Sequence, residues 1–476
     1  MKYISTRGTA PVLGFEDVVL TGLARDGGLY VPQAWPRLAP ARIEALAGRP
    51  YHEAAFEVMA PFVNGEVSDA DLRALCVEAY ATFSHPAVAP LVQIAPNQWI
   101  LELFHGPTLA FKDVAMQVLG RLMDLILTKR GARATIVGAT SGDTGGAAIE
   151  AFRGRDAIDI FILFPKGRVS DVQRRQMTTP TEANVHAIAV DGTFDDCQNA
   201  VKALFNDLAL RDRLHLAGVN SINWARIMAQ TVYYFTAAVA LGAPGRKISF
   251  SVPTGNFGDI FAGYVASRMG LPIQRLIIAT NANDILARTY RTGRYETRPV
   301  IPTSSPSMDI QISSNFERLL FELSGRNAGR VRTLMSGLAQ SGAFMLDAHE
   351  RTGLESLFSA DRVGENEALA SIRRLRDETG YLAEPHTIAG IEAARRAGPE
   401  PAGNAAPIVT LATAHPAKFP DAIRNALGLG PEQALPEPPR VVEQRLKPER
   451  MSVLSNDVSA IAEFISQRTR ATRAAA

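Results

Sequence analysis

The sequence is poor in cysteine, in charge of one sign and in long apolar runs. Its 476 residues include only Cys76 and Cys197, which lie far apart without metal-ligand spacing, so we expect two reduced, partly buried thiols and no metal site. The formal net charge of +2 gives no strong field for nucleic acid or an anionic membrane. No apolar run approaches the length of a membrane span or of a secretory signal. These absences favour a cytoplasmic protein.

The order of predicted elements indicates an α/β fold. Residues 1–90 carry apolar residues at helical spacing, and from residue 95 onwards strands alternate with helices, a pattern typical of parallel sheets covered by helices on both faces. The predicted strands lie in segments 98–106, 133–139, 158–167, 184–192, 246–253, 273–281 and 406–416. Ligands in such folds bind at the carboxyl ends of the strands. We expect a Gly/Pro/Ala-rich loop at 394–407, a last helix at 455–467 and a solvated basic tail at 468–476.

Two turns between a strand and a helix are suited to anions. "ATSGDTGG" (139–146) and "VPTGNFGD" (252–259) combine glycine with small polar residues just before a helix, where free N–H groups attract a carboxylate or a phosphate. Each turn, taken alone, could equally be an ordinary capped helix start. Neither has the Gly-Lys-Ser/Thr of a Walker A loop, and neither fits the dinucleotide fingerprint.

A third polar segment, "NSINWARI" (220–227), places Arg226 among apolar residues. Its guanidinium could bind a phosphate or carboxylate through two parallel hydrogen bonds. Alternatively, the segment is a helix start capped by Asn220 or Ser221 with a solvated arginine.

Lys112 stands in "HGPTLAFKDVAM" (105–116), between a phenylalanine and an aspartate. A lysine that forms a Schiff base must spend time neutral, and burial favours that form. An ion pair with Asp113 is the structural alternative. A lysine after a strand, followed by two anion-binding turns, is a set of parts that suits pyridoxal phosphate.

The chain resembles the threonine synthases over nearly its whole length. This family of pyridoxal-phosphate enzymes has fold type II, shared with the tryptophan synthase β subunit and serine dehydratases. The resemblance rests on "YISTRG", "GLARDGGLYVP", "ELFHGPTLAFKD", "ATSGDTG", "IAVDGTFDDCQ", "NSINWARI", "VPTGNFGD", "EPHTIAG" and "ATAHPAKFP". The motifs containing Lys112 and Arg226 are specific to this family rather than to the fold. The length suits its microbial and fungal branch.

The resemblance implies a role for each matching position. Lys112 would be the Schiff-base lysine and catalytic base, and Thr413 the hydroxyl residue at the pyridine nitrogen. The substrate carboxylate would bind to Thr140, Ser141, Gly142, Asp143 and Thr144, with Asp143 also near the cofactor hydroxyl. The cofactor phosphate would bind to Gly255, Asn256, Phe257 and Gly258, and the substrate phosphate to Asn220, Ser221 and Arg226. Glu384 and His386 could line the site or start a helix, and His415 and Lys418 could face the substrate phosphate.

The implied reaction converts O-phospho-L-homoserine and water to L-threonine and phosphate, by γ-elimination and β-addition of water, as the last step of threonine biosynthesis. A lyase that releases 2-oxobutyrate, a hydroxy-amino-acid dehydratase and a non-catalytic protein of the same fold are the alternatives. The family implies a monomer or homodimer.

Four regions follow from the motifs. We expect an N-terminal region at 1–92, a smaller domain at 93–240 with Lys112 and the carboxylate loop, a larger domain at 241–435 with the phosphate turn, and a C-terminal extension at 436–476.

Overall fold

A computed structural model describes residues 1–397 and 406–471 of the chain. Within these residues, no helix is long and apolar enough to cross a membrane. The N-terminal region consists of a small antiparallel ribbon and four helices that pack on the rest of the core. Its elements are β1 (Tyr3–Ser5), α1 (Phe15–Thr21), β2 (Tyr30–Pro32), α2 (Pro40–Glu44), α3 (Tyr51–Val63) and α4 (Asp69–Tyr80).

The larger of the two main sheets has six strands in the order β13-β10-β9-β14-β4-β3. Every neighbouring pair is parallel except β3 and β4. The strands are β3 (Leu91–Ala95), β4 (Gln98–Glu102), β9 (Ile248–Pro253), β10 (Ile273–Thr280), β13 (Phe358–Arg362) and β14 (Ile408–Ala412).

The second main sheet has five strands, all parallel, in the order β15-β7-β6-β5-β8. They are β5 (Ala134–Ala139), β6 (Ile158–Pro165), β7 (Val185–Asp191), β8 (Leu216–Ala217) and β15 (Ser452–Ser455). A separate ribbon pairs β11 (Arg294–Glu296) with β12 (Ala343–Met345).

Helices connect the strands and cover both sheets. They are α5 (Lys112–Lys129), α6 (Asp143–Phe152), α7 (Asp171–Thr178), α8 (Phe194–Asn206), α9 (Leu208–Leu214), α10 (Trp224–Ala240), α11 (Gly258–Arg268), α12 (Ile285–Thr292), α13 (Phe316–Leu323), α14 (Ala328–Ser341), α15 (Ala348–Leu357), α16 (Glu365–Thr379), α17 (Pro385–Ala397), α18 (Pro420–Leu427), α19 (Pro439–Arg445) and α20 (Val458–Arg468), with short 3-10 turns at Pro306–Met308 and Pro416–Lys418. The α/β fold predicted from the sequence is confirmed.

Some local predictions hold and others need correction. Ser68 followed three residues later by Asp71 predicts a helix N-cap, and Ser68 does cap α4 by accepting a hydrogen bond from the N–H of Asp71. Residues 41–63, whose apolar spacing predicts one helix, form parts of two, because Gly48 adopts φ +73° and Pro50 follows before α3 begins.

The C-terminal segment is more ordered than its composition suggests. Residues 452–455 form β15, which pairs with β7 as an edge strand that the sequence did not reveal. The prediction of a solvated tail is wrong for Thr469 and Arg470: the threonine hydroxyl bonds to that of Thr135, and the arginine pairs with buried Asp159. Of the predicted loop at 394–407, residues 394–397 belong to α17 and residues 398–405 lie outside the described part of the chain.

The sheet topology brings distant segments together. The carboxyl ends of β4, β9 and β14 meet at one edge of the six-stranded sheet, because these strands are parallel. The segment after β4 leads to Lys112, residues 254–258 form the turn after β9, and Thr413 follows β14. The turn after β5 brings Asp143 from the other sheet to the same place. This is the edge at which α/β proteins bind ligands.

Candidate active site

Lys112 begins α5 and is 8% exposed. The turn before it lies against the segment after β14: the N–H of Phe111 donates to the carbonyl of Thr413 at 2.8 Å, and the N–H of His415 donates to the carbonyl of Leu109 at 3.0 Å. Burial lowers the pKa of the Lys112 ammonium, and the positive charges of Lys418 and Arg226 lower it further, whereas the negative charge of Asp143 raises it. Lys112 therefore has the setting of a lysine that is readily neutral.

The alternative role for Lys112, an ion pair with Asp113, does not occur. The carboxylate of Asp113 instead accepts hydrogen bonds from the N–H and the hydroxyl of Thr108, both at 2.7 Å. Burial raises the pKa of Asp113 to about 6. Asp113 thus holds the turn that leads into Lys112 rather than the lysine itself.

Asp143 is the carboxylate that faces Lys112. Its Oδ2 lies 3.6 Å from Nζ of Lys112, while its Oδ1 accepts from Nζ of Lys418 and from Nε2 of Gln173, both at 2.9 Å. Burial opposes ionisation of Asp143, but the charges of Lys418 and Lys112 outweigh it and hold the pKa of the carboxyl well below its usual range. Asp143 is therefore a carboxylate shared between two lysines.

The turn between β5 and α6 presents backbone donors. The hydroxyl oxygen of Thr140 accepts from the N–H groups of Gly142 and Gly145, both at 2.9 Å, which folds the turn back on itself. Among the described residues, the N–H groups of Ser141 and Thr144 donate to no backbone carbonyl outside regular secondary structure. These free donors at a helix start suit a carboxylate, and Thr140 shapes the turn while keeping its hydroxyl hydrogen for a ligand.

The turn between β9 and α11 is a second cradle. Phe257 adopts φ +60° immediately before α11, and a Cβ on Gly255 would lie 2.5 Å from the carbonyl oxygen of Ser307. In the described part of the chain, the N–H groups of residues 255–258 donate to no carbonyl. Free donors with no space for a side chain are what a phosphate group requires.

The segment 313–315 holds this second turn in place, and sequence reasoning missed it. The hydroxyl of Ser313 donates to the carbonyl of Gly255 at 2.7 Å, and the side chain of Asn315 donates to the carbonyls of Asn256 at 2.9 Å and Ser221 at 3.2 Å. Ser314 lies between Asn256 and Ser221, within 3.2 Å and 3.5 Å of their side chains. The segment lies far along the chain from both partners, and its composition carries no signal.

Arg226 is 3% exposed in the first turn of α10, so the alternative of a solvated arginine is wrong. One guanidinium nitrogen makes a long 3.4 Å bond to the carbonyl of Val219, and Nε has no partner. Burial lowers its pKa to about 10, and within residues 1–397 and 406–471 no carboxylate forms an ion pair with it. The helix cap is Asn223, so neither the side chain of Asn220 nor that of Ser221 is used as a cap.

Thr413 belongs to a buried chain of hydrogen bonds. Its hydroxyl lies 3.5 Å from Oε1 of Glu384, which also accepts from the hydroxyl of Thr387 at 2.6 Å. The other oxygen of Glu384 bonds to Nδ1 of His386 at 2.6 Å, and Nε2 of His386 accepts from the N–H of Ser307. Because Nε2 accepts, the shared proton of the imidazole lies on Nδ1, and Glu384 positions Thr413 from behind.

Lys418 has no free donor for a substrate phosphate, whereas the neutral ring of His415 keeps one N–H, on Nε2. Nδ1 of His415 accepts from the N–H of Ala417 at 3.1 Å, and burial lowers the pKa of this histidine to about 4. Lys418 is completely buried, and its ammonium donates to the carbonyl of Thr108, to Gln176 and to Asp143. All three of its hydrogens are used inside the protein.

The residues fit pyridoxal phosphate. Lys112 is buried with its ammonium form disfavoured, the 255–258 turn offers free N–H groups in a space that excludes a Cβ, and Thr413 offers a hydroxyl rather than a carboxylate. Within the described residues, no group of histidine, cysteine, aspartate or glutamate side chains could hold a metal ion.

Comparisons with known proteins point in one direction. Residues 2–80 match a model of the threonine synthase N terminus, residues 85–414 a model of pyridoxal-phosphate-dependent enzymes, and residues 387–465 a model of the threonine synthase C-terminal region. Threonine synthase of Pseudomonas aeruginosa is 53% identical over 98% of both chains.

Solved structures agree with the sequence comparisons. The structure of threonine synthase from Brucella melitensis with bound pyridoxal phosphate superposes with a TM-score of 0.95 at 59% identity, covering 99% of this chain and all of the other. The yeast threonine synthase structure superposes with a TM-score of 0.93 at 38% identity over 98% of both chains.

Proposed function

The chain belongs to the threonine synthase family, and from this membership we propose how its own residues bind and convert the substrate. The enzyme depends on pyridoxal phosphate and converts O-phospho-L-homoserine and water to L-threonine and phosphate. When bound, the cofactor supplies an electron sink for the carbanions of this reaction.

Three parts of the chain would hold the cofactor. Lys112 would bind its aldehyde, the free N–H groups of residues 255–258 its phosphate, and the hydroxyl of Thr413 its pyridine nitrogen. A hydroxyl does not force that nitrogen to be protonated, as a carboxylate would. The hydroxyl of Thr413 lies 3.5 Å from Oε1 of Glu384, the upper limit of a hydrogen bond, so its hydrogen is free to turn towards the nitrogen instead.

Lys112 would carry protons between substrate carbons. Its burial favours the neutral amine that removes the Cα proton, and the carboxylate of Asp143 at 3.6 Å stabilises the ammonium formed by that transfer. Because burial favours the neutral amine and the carboxylate favours the ammonium, the same nitrogen can both accept and return a proton.

Two anion sites would fix the ends of the substrate. Its carboxylate would bind to the turn formed by Thr140, Ser141, Gly142, Asp143 and Thr144, and its phosphate to Asn220, Ser221 and Arg226. The observation that carries this proposal is the buried guanidinium of Arg226 without a carboxylate partner in the described residues. An unpaired buried charge costs several kcal/mol in order of magnitude, so the site is built for an anion that arrives with the substrate. A dehydratase acting on a substrate without phosphate would not need this guanidinium.

Product analysis tests the proposal. Purified enzyme incubated with O-phospho-L-homoserine should release threonine and phosphate in equal amounts, and L-homoserine, which lacks the phosphate, should be the inactive control. Phosphate accompanied by 2-oxobutyrate would leave the site in place and make the enzyme a different lyase. Neither product from enzyme that carries its cofactor would contradict the role of Arg226. The monomeric or homodimeric state, the absence of a nucleic-acid partner and the cytoplasmic location stay predictions.

A further inference from the structure

Lys418 is a buried cation for which the proposed reaction has no direct use. It is 0% exposed, and its ammonium donates to the carbonyl of Thr108 at 2.7 Å, to Oε1 of Gln176 at 3.0 Å and to Oδ1 of Asp143 at 2.9 Å. A lysine has three N–H donors, so none remains for a substrate. Lys418 therefore acts on the site through these partners.

The two lysines beside Asp143 are not equivalent. The carboxylate is 2.9 Å from Nζ of Lys418 and 3.6 Å from Nζ of Lys112, and the oxygen that bonds Lys418 also accepts from Gln173. Most of the negative charge of Asp143 is thus compensated by Lys418. What remains for Lys112 is the second oxygen at a distance too long for a normal hydrogen bond.

We propose that Lys418 is a positioning residue that binds the Asp143 carboxylate and so keeps Lys112 from being locked into an ion pair. The proposal rests on the role of Lys112 proposed above. Without Lys418, Asp143 would turn to Lys112 as its only nearby cation among the described contacts, and the lysine nitrogen would keep its proton to higher pH. With Lys418 in place, Lys112 can be neutral next to a carboxylate.

The charges around Lys112 determine the direction in which each substitution should change the proton affinity of its nitrogen. The charged groups that face it are Asp143 from α6, Lys418 from the 3-10 turn after β14, and Arg226 from α10, while Asp259 of α11 lies within electrostatic range. Asp113 on the same helix is engaged with Thr108. Removing the positive charge of Lys418 raises the affinity of the Lys112 nitrogen for a proton, and removing the negative charge of Asp143 lowers it.

The test measures the pH at which the visible absorbance of the substrate-free holoenzyme changes, together with the acid limb of the pH profile of kcat/KM. In Lys418→Met both should move to higher pH, by about one unit. In Asp143→Asn both should move to lower pH, and the double variant should lie between them. Opposite shifts are a signature that a loss of packing does not produce. Lys166→Met, which removes a lysine from a surface pair with Asp191, is the matched control and should shift neither.

Several outcomes would overturn the proposal. Shifts of Lys418→Met and Asp143→Asn in the same direction, or no shift in a Lys418→Met variant that retains its cofactor, would exclude this role. If Lys418→Met does not fold, an unchanged absorbance profile in Asp143→Asn alone would be enough to reject it. Failure of the proposed function is distinguishable, because the imine absorbance would then persist in Lys112→Ala.

Discussion

The side chain of Asp113 fills the space in which a side chain at Gly106 would stand. A Cβ placed on Gly106 would lie 2.4 Å from Cβ of Asp113 and 2.5 Å from its Oδ2, the oxygen that accepts from the N–H of Thr108. The turn before Lys112 therefore closes only because residue 106 has no side chain.

Gly106→Ala should displace Asp113 and disturb the position of Lys112, although both side chains keep their chemical groups. We expect the free energy of unfolding to fall by roughly 1–3 kcal/mol, the usual effect of overpacking, and the affinity for pyridoxal phosphate to fall with it. Denaturant unfolding and cofactor titration measure the two effects. Gly364→Ala is the matched control, because Gly364 has open space around its Cβ position and φ −76°. Normal cofactor affinity in Gly106→Ala would contradict this account.

Local chemistry explains what the sequence could predict. A strand followed by a glycine-containing turn and a helix is a local pattern, so both of these strand–turn–helix units and the seven predicted strands could be read from it, but the order of the strands in the sheets could not. The cap of α4 at Ser68 is equally local, since its partner lies three residues on. The family-specific motifs around Lys112 and Arg226 then gave the chemistry.

Partners that come from elsewhere in the chain could not be predicted in this way. Nothing near Arg226 tells whether a distant carboxylate reaches it, and nothing near Lys418 tells that Asp143 does. The 313–315 segment has no motif of its own and acquires its role only when β9 and α13 are brought together. Burial and pairing of charges are properties of the tertiary fold.

Lys112→Ala should abolish the imine absorbance of the bound cofactor and turnover together. The reason is that the buried amine would be both the attachment point and the proton carrier. Absorbance spectra and product formation are measured on the same preparation. Lys129→Ala, at the exposed end of the same helix, should keep both signals. Turnover in Lys112→Ala would exclude the assignment.

Arg226→Met should make the substrate-free enzyme more stable and much less active. Replacing an unpaired buried guanidinium with an apolar side chain should raise the free energy of unfolding by roughly 1–3 kcal/mol. Loss of the phosphate partner should lower kcat/KM by about 30-fold to several thousand-fold, which corresponds to roughly 2–5 kcal/mol. Inorganic phosphate should raise the Tm of the unsubstituted enzyme but not that of the variant.

Arg318→Met is the contrasting variant. Arg318 is equally buried, but its guanidinium donates to the carbonyls of Tyr30 and Ile222 and to the side chain of Asn315. Removing it leaves buried acceptors without donors, so this substitution should destabilise the protein. If Arg226→Met also proved destabilising, Arg226 would have a structural partner and the substrate phosphate would need another site.

His186→Phe should make the protein less sensitive to acid. His186 stacks on Phe161 with ring centroids 4.4 Å apart, and burial lowers its pKa to about 4 from an unfolded value of about 6.5. Above pH ~6.5 both states are neutral there and this contribution to stability is intact; as the pH falls towards 4, the unfolded chain takes up the proton first and stability is lost. The variant should therefore lose roughly 1–2 kcal/mol less than the unsubstituted protein between pH 7.5 and pH 5, measured by urea unfolding. If the two proteins lost stability equally as the pH falls, His186 would take up a proton as readily in the folded state as in the unfolded chain.

Arg470→Ala should destabilise the five-stranded sheet from the far end of the chain. Asp159 on β6 is 2% exposed, and its two oxygens accept from Nε of Arg470 at 2.7 Å and from the N–H of the same residue at 2.6 Å. Truncating the arginine leaves a buried carboxylate without its counter-charge, which should lower the free energy of unfolding by about 3 kcal/mol.

Arg468→Ala removes a neighbouring arginine that lies over the ring of Phe464, and it should lower the free energy of unfolding by less than about 1 kcal/mol. The double variant Asp159→Asn, Arg470→Met should recover part of the loss, because both charges are then absent. Equal stability of Arg470→Ala and Arg468→Ala would mean that the carboxylate of Asp159 is solvated and that the tail does not close this sheet.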